Sequence, residues 1–181
     1  MKFANIDKDT NKLLGWYSKD IHGDDIPTPN IKVSDANWRN ALKINANKIN
    51  TDGSCEVFDF RTFEEQLLSS KNTKLKELNN ACEEYITAGF TSDALDETYY
   101  YQSSRDDQAN LVSDVLADID LDVKCSRDNK SFEFITHTAL QIKKVSDSFT
   151  LHRIEALKRV NDLKNKVSDA TTKDDIEAIA W

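Results

Sequence analysis

The stretch Thr138–Ala170, TALQIKKVSDSFTLHRIEALKRVNDLKNKVSDA, decides the fold. Its repeating positions are Ile142, Val145, Phe149, His152, Ala156, Val160, Leu163, Val167 and Ala170. The steps alternate between three and four residues, with one repeated four. That spacing lays a single apolar stripe along an α-helix, broken only by His152. No Gly or Pro interrupts it. Thr138 followed by Gln141 is a capping box and marks the start. At 1.5 Å per residue the helix is about 50 Å long. A stripe of that length requires a partner.

The partner lies upstream. Thr62-Phe63-Glu64-Glu65 is a second capping box, and Leu68, Leu75, Leu78, Cys82 and Tyr85 mark its stripe. Gly89 suits the position just past the helix end. A helix from Phe63 to Ala88, antiparallel to the first, is expected. Between the two, Phe90 to Arg105 reads as a loop ending in Tyr99-Tyr100-Tyr101. Ser104 caps a third helix from Asp106 to Asp118, with Gln108, Leu111, Val112, Val115, Leu116 and Ile119 on one face. Val123–Cys125 and Ser131–Ile135 flank Arg127-Asp128-Asn129-Lys130 as a β-hairpin. Thr172 caps a short closing helix, Lys173 to Ala180, and Trp181 is expected to dock on the core.

The first 60 residues have a different character. Lys2–Ile6 and Lys12–Ser18 form a hairpin around a polar turn, and a Gly/Pro connection follows from Asp20 to Pro29. After a short strand at Ile31–Val33, Ser34 caps a helix that turns Trp38, Leu42 and Ile44 inward. Asp52-Gly53 signals a second hairpin within Ile49–Val57. The fold class is therefore α+β and mainly helical. A small α+β module over residues 1–60 precedes a helical domain over residues 61–181, built on two long antiparallel helices, a third helix and a β-hairpin.

Charge and composition exclude several classes. The net charge is −8 with no Lys/Arg cluster, which disfavours nucleic acid. Cys55, Cys82 and Cys125 are odd in number and lack CxxC spacing, so neither a disulfide framework nor a zinc site is expected. Cys82 sits on the apolar stripe as a small core residue. Met1-Lys2-Phe3-Ala4-Asn5 opens no apolar leader and no run of 18 apolar residues occurs, so neither a signal peptide nor a membrane span is expected. The expected site is the cytosol.

Chemistry-bearing patterns are sparse. His152 on the stripe reads as a hydrogen-bonded histidine at the core edge, and His137 as part of a strand-to-helix turn. His22-Gly23-Asp24-Asp25 is the one stretch resembling part of a cation site, and it is the basis of a weaker reading as a small cation-dependent hydrolase. It lacks the EF-hand spacing and its closing Glu. There is no Gly-rich phosphate loop and no GxSxG. No catalytic, cofactor or metal residue is assigned, and no cofactor is implied. The candidates are aromatic and point to protein contact: Tyr99, Tyr100 and Tyr101, with Trp16, Tyr17 and Trp38 as core residues or, where exposed, interface anchors.

From Lys71 onward the chain resembles an uncharacterised domain family encoded in tail-gene clusters of tailed bacteriophages and prophages. The carrying motifs come in the family's order. They are Cys82-Glu83-Glu84-Tyr85-Ile86-Thr87-Ala88-Gly89-Phe90-Thr91-Ser92, Tyr101-Gln102-Ser103, Asp107-Gln108-Ala109-Asn110-Leu111, His137-Thr138-Ala139-Leu140-Gln141, and Ala170-Thr171-Thr172 through Trp181. Ile26-Pro27, Val33-Ser34-Asp35-Ala36-Asn37-Trp38 and Asp52-Gly53 are similar to the front of phage tail fibre assembly proteins. The resemblance implies a tail protein that acts in the host cytoplasm during assembly and binds the tail fibre or other tail proteins, either as part of the virion tail or as an assembly chaperone. The regular stripe would serve equally for self-association through the long helices. Neither nucleic acid nor membrane is implied as a partner.

Overall fold

The computed structural model describes residues 1–181. The fold is α+β and mainly helical. It divides into two compact units, Met1–Arg61 and Thr62–Trp181.

In the first unit β1 (Lys2–Ile6) and β2 (Leu13–Ser18) form the hairpin, with Ala4 opposite Trp16 and Phe3 opposite Tyr17. The Asp7 carboxylate closes its turn by accepting from the Thr10 hydroxyl and the backbone amides of Asp9 and Thr10. A single helical turn, α1 (Lys19–His22), leads to β3 (Asn30–Val33), which pairs on the free side of β1. Helix α2 (Asp35–Ile44) starts where Ser34 Oγ accepts from Asn37 N. The ribbon β4 (Lys48–Ile49) and β5 (Cys55–Glu56) turns over Asp52-Gly53, with Gly53 at φ +80°. Ala4, Ile6, Val33 and Ile49 are the core, and Trp16 and Trp38 pack against it half-buried. Leu42 and Ile44 are exposed, contrary to expectation. The buried face of α2 centres on Ala41, with Asn37 and Trp38 half-buried on either side of it, and Leu42 lies about 100° round from that centre.

The second unit opens with α3 (Phe63–Thr87), fastened by the Thr62–Glu65 capping box. Then come β6 (Phe90–Ser92), β7 (Tyr99–Tyr101), α4 (Arg105–Ala117), β8 (Leu121–Ser126), β9 (Glu133–His137), α5 (Ala139–Asp169) and α6 (Lys173–Glu177). The four strands form one antiparallel sheet in the order β6-β7-β8-β9. The expected loop from Phe90 to Arg105 is thus corrected: it holds a second hairpin. Tyrosine suits a strand, and the alternation of Tyr99 and Tyr101 inward with Tyr100 between them fits a half-buried sheet.

The α5 stripe has two partners. Val145 and Phe149 pack under the sheet against Phe90, Tyr101 and Cys125. Ala156, Val160, Leu163 and Val167 pack against Leu78 and Cys82 of α3, with Leu75, Ile179 and Trp181 at the margin. Leu68, expected on the α3 stripe, is exposed. Lys71 Nζ already reaches Ser168 O at the end of α5, so Leu68 lies beyond the last turn of its partner. Of the face expected on α4, Gln108, Leu111 and Val115 are half-buried, whereas Val112 and Leu116 stand exposed, as does Ile119 just beyond the helix.

Gly89, at φ +109°, turns α3 into β6, and a Cβ there would lie 2.9 Å from Tyr101 O. Gly89→Ala is expected to destabilise the second unit by about 1–3 kcal/mol. Urea unfolding followed by far-UV circular dichroism, to which α3 and α5 contribute most, measures the loss.

Candidate functional site

The sheet and α5 enclose a hydrogen-bonded chain of buried polar groups. His137, at the end of β9, is fully buried. Its Nδ1 lies 2.7 Å from Ile135 O, so that nitrogen carries the proton and donates to the carbonyl. Nε2 is then the acceptor of a hydrogen bond donated by the Tyr101 hydroxyl at 2.9 Å. The Cys125 thiol, opposite Tyr101 in the β7–β8 register, adjoins the same hydroxyl. Burial pushes both the Tyr101 hydroxyl and the Cys125 thiol up from their ordinary values. A thiol, a phenol and an imidazole in sequence suggest nucleophile chemistry, but Cys125 is sealed from solvent and its thiolate is disfavoured. The arrangement satisfies polar groups inside a core.

A second fastening joins α3, β7 and α4. Ser103 Oγ donates to Ile86 O at 2.6 Å and accepts from Gly89 N at 2.9 Å. Gln108 Nε2 donates to Ser103 O, and Asp107 closes a capping box with Ser104. The boxes at Thr138–Gln141 and Thr172–Asp175 are formed as well. At the far side of α5, His152 stacks on Tyr85 at 4.6 Å with Nε2 3.1 Å from Tyr85 O. Trp181 packs on the α3–α5 core, with the Arg159 guanidinium over its ring at 4.8 Å.

The aromatic candidates separate on this geometry. Tyr99 and Tyr101 are 4% and 3% exposed, so they are core residues and not a partner-binding edge. Inward alternation takes both under α5, and Tyr99 OH accepts from Arg127 Nε at 2.6 Å. Tyr100 alone of the three is half-buried, beside a small cleft shared with Tyr85, Gly89, Asn129 and His152. In the first unit Trp38 lies under Lys2 Nζ, Tyr17 meets His22 edge-on at 5.1 Å, and Trp16 packs on the core. His22 is engaged with the Ser18 backbone through Nδ1, and Asp24 pairs with Lys19 at 3.2 Å. No three His, Cys, Asp or Glu side chains are placed to hold a metal ion together.

A family model described as a domain of unknown function (DUF4376) matches residues 69–180, more than half of the chain. The chain belongs to the DUF4376 family. No curated protein and no solved structure matches it. The DUF4376 segment begins inside α3 and ends one residue before Trp181, so it falls wholly within the second unit. Gly89, Tyr101, Ser103, Asp107, Gln108, His137 and Gln141 all lie in it, and all act as fastenings of the fold. The sequence reading missed the Tyr101–His137–Cys125 chain. A signal was present in the two motifs that contain Tyr101 and His137, but nothing local shows that they meet.

Tyr101→Phe leaves a buried imidazole acceptor without its donor and is expected to cost about 1–3 kcal/mol in urea unfolding. Both raised acids hold their protons longer in the folded state than in the unfolded one. Their contribution is complete below about pH 8.5 and is lost as pH climbs past the unfolded thiol and phenol values, near 8.5 and 10. Stability measured from pH 7 to 11 should fall on the alkaline side, less steeply in the Tyr101→Phe/Cys125→Ala variant.

Proposed function

We propose that the protein is a non-enzymatic bacteriophage tail protein that binds other tail components, the tail fibre or its attachment site, by surface complementarity. One observation carries this reading: five motifs resembling the tail-cluster family, in order, over the same stretch that the DUF4376 model matches. Apolar side chains left outside the fold support contact with protein. They include Val112 and Leu116 on α4, Ile119 just beyond it, Phe134 on β9, and Leu151 and Leu157 on α5. The paired α3 and α5 supply a stiff frame for such surfaces. The chain acts in the host cytoplasm during assembly and stays in the tail.

A second reading, a fibre assembly chaperone released afterwards, draws on the first unit, where the residues similar to fibre assembly proteins lie in β3, α2 and the Asp52-Gly53 turn. Mass spectrometry of purified virions separates the two. Retention in the tail is the expected result. Absence from virions, with fibre folding lost on deletion of the gene, favours the chaperone. Absence with normal fibres and infectivity contradicts both.

A further inference from the structure

The face of α5 that packs on the sheet and on α3 is used up within the chain, and the opposite face is bare. Leu140, Lys144, Asp147, Leu151, Ile154 and Lys158 follow one another at alternating steps of four and three residues, and Asn161 and Asn165 continue the run. All eight are exposed. Lys158 lies two residues past buried Ala156, about 200° round the helix. The run is therefore a second straight seam on the same helix, with the period of a coiled-coil contact. From Leu140 to Asn165 it is about 38 Å long. Leu140 is 71% exposed and Leu151 68%. A hollow of about 680 Å³ runs beside the middle of the seam, with Leu151, Ile154, Lys158 and Asp162 in its wall.

The order of residues along this seam is self-complementary. A second copy of α5 can be turned end for end about a two-fold axis level with the midpoint of residues 152 and 153. Leu151 then meets Ile154 of the second copy and Asp147 meets its Lys158, and symmetry makes each contact twice. Leu140 comes level with Asn165 of the second copy. Lys144 comes level with Asn161 and beside Asp162, which lies on the same flank of the seam. Lys144, Asp147, Lys158 and Asp162 have no ion pair within the chain, so all four are free to make these contacts.

The alternatives are worse. Sliding the second copy by one repeat sets Asp147 on Leu151 in one direction and Lys158 on Ile154 in the other. Sliding it two repeats toward the start of the helix pairs Leu140 with Leu151 and Lys144 with Asp147, but leaves Ile154 past the end of its partner. A parallel copy sets Asp147 on Asp147 and Lys158 on Lys158. The central antiparallel register alone covers all three apolar residues and gives each of the two seam charges its opposite.

We propose that the protein forms a closed antiparallel dimer through this outer seam of α5, with Leu151 and Ile154 at its centre and Asp147 paired with Lys158 of the other copy. The same surface is used on both copies, so assembly stops at two. The apolar residues supply attraction, and the charges fix the register. This inference stands on the seam and not on the tail reading.

Sedimentation equilibrium of the purified full chain over a range of concentrations tests it. Wild type should show a monomer–dimer equilibrium and nothing larger. Leu151→Glu should weaken association roughly tenfold or more. Asp147→Lys alone and Lys158→Asp alone bring like charges together and should weaken it likewise, whereas a mixture of these two variants should form a heterodimer and the double variant Asp147→Lys/Lys158→Asp should dimerise as wild type does. Unchanged circular dichroism shows that the variants fold. Orientation is read from an oxidised mixture of the Asp147→Cys and Lys158→Cys chains, with the bridges mapped by mass spectrometry. A disulfide joining position 147 of one chain to position 158 of the other is expected. A wild type that stays monomeric, a Leu151→Glu chain that dimerises unchanged, a charge-reversed mixture that stays monomeric, or a 147–147 bridge in place of the 147–158 bridge would each overturn the proposal.

Discussion

The second unit depends on the burial of one helix face. Ile142, Val145, Ala156, Val160, Leu163 and Val167 of α5 are all buried, yet they do not share a partner. The N-terminal half of the face is the floor beneath a four-stranded sheet, and the C-terminal half is one side of a helix pair. Each large aliphatic side chain removed from water contributes about 1.5–3 kcal/mol before the entropy of ordering is set against it. Sheet and helix pair are therefore coupled through a rigid rod. At the helix-pair end of the rod the face narrows to Ala156, and the Cys82 thiol comes within 3.7 Å of its carbonyl. A larger residue there would push α3 away and open both layers.

Polar fastenings set the geometry that the apolar contact leaves free. Hydrophobic burial is not directional, so it does not decide which strand follows α3 or where α4 begins. Ser103 makes that decision by binding the end of α3 and the turn at Gly89 together. His137 makes it at the other end, where Tyr101 and the Ile135 carbonyl hold its two nitrogens in fixed roles. Ser103, Gly89, Tyr101 and His137, which make these fastenings, all lie in the segment that the DUF4376 model matches.

Periodicity, capping residues and the Asp-Gly turn were legible from the chain, and the strands β6 and β7 were not. The α5 stripe, the four helix starts at Thr62, Ser104, Thr138 and Thr172, and the Asp52-Gly53 turn follow from residue type and spacing alone. Strands β6 and β7, three residues each, are too short to show a period, so their tyrosines read as a loop. Exposure was the other failure. Leu68, Leu42 and Val112 have the right spacing for burial, but burial also requires an element opposite. Leu68 outruns α5, Leu42 sits one step round from Ala41, and Val112 faces away from α5. The same logic moved the site. Tyr99 and Tyr101 are consumed by the sheet, and the apolar side chains that stay uncovered are those of α4 and α5, Val112, Leu116, Leu151 and Leu157 among them.

Native-state hydrogen exchange on the full chain carrying Val160→Ala tests the coupling most directly. Val160 is buried against α3 and lies outside the cluster under the sheet. If α5 joins both layers into one cooperative unit, amides in β7 and β8 should lose protection by the same free energy as amides in α3. If α3, α6 and the C-terminal half of α5 lose protection while the sheet keeps its own, the helix is two independent supports and the account is wrong.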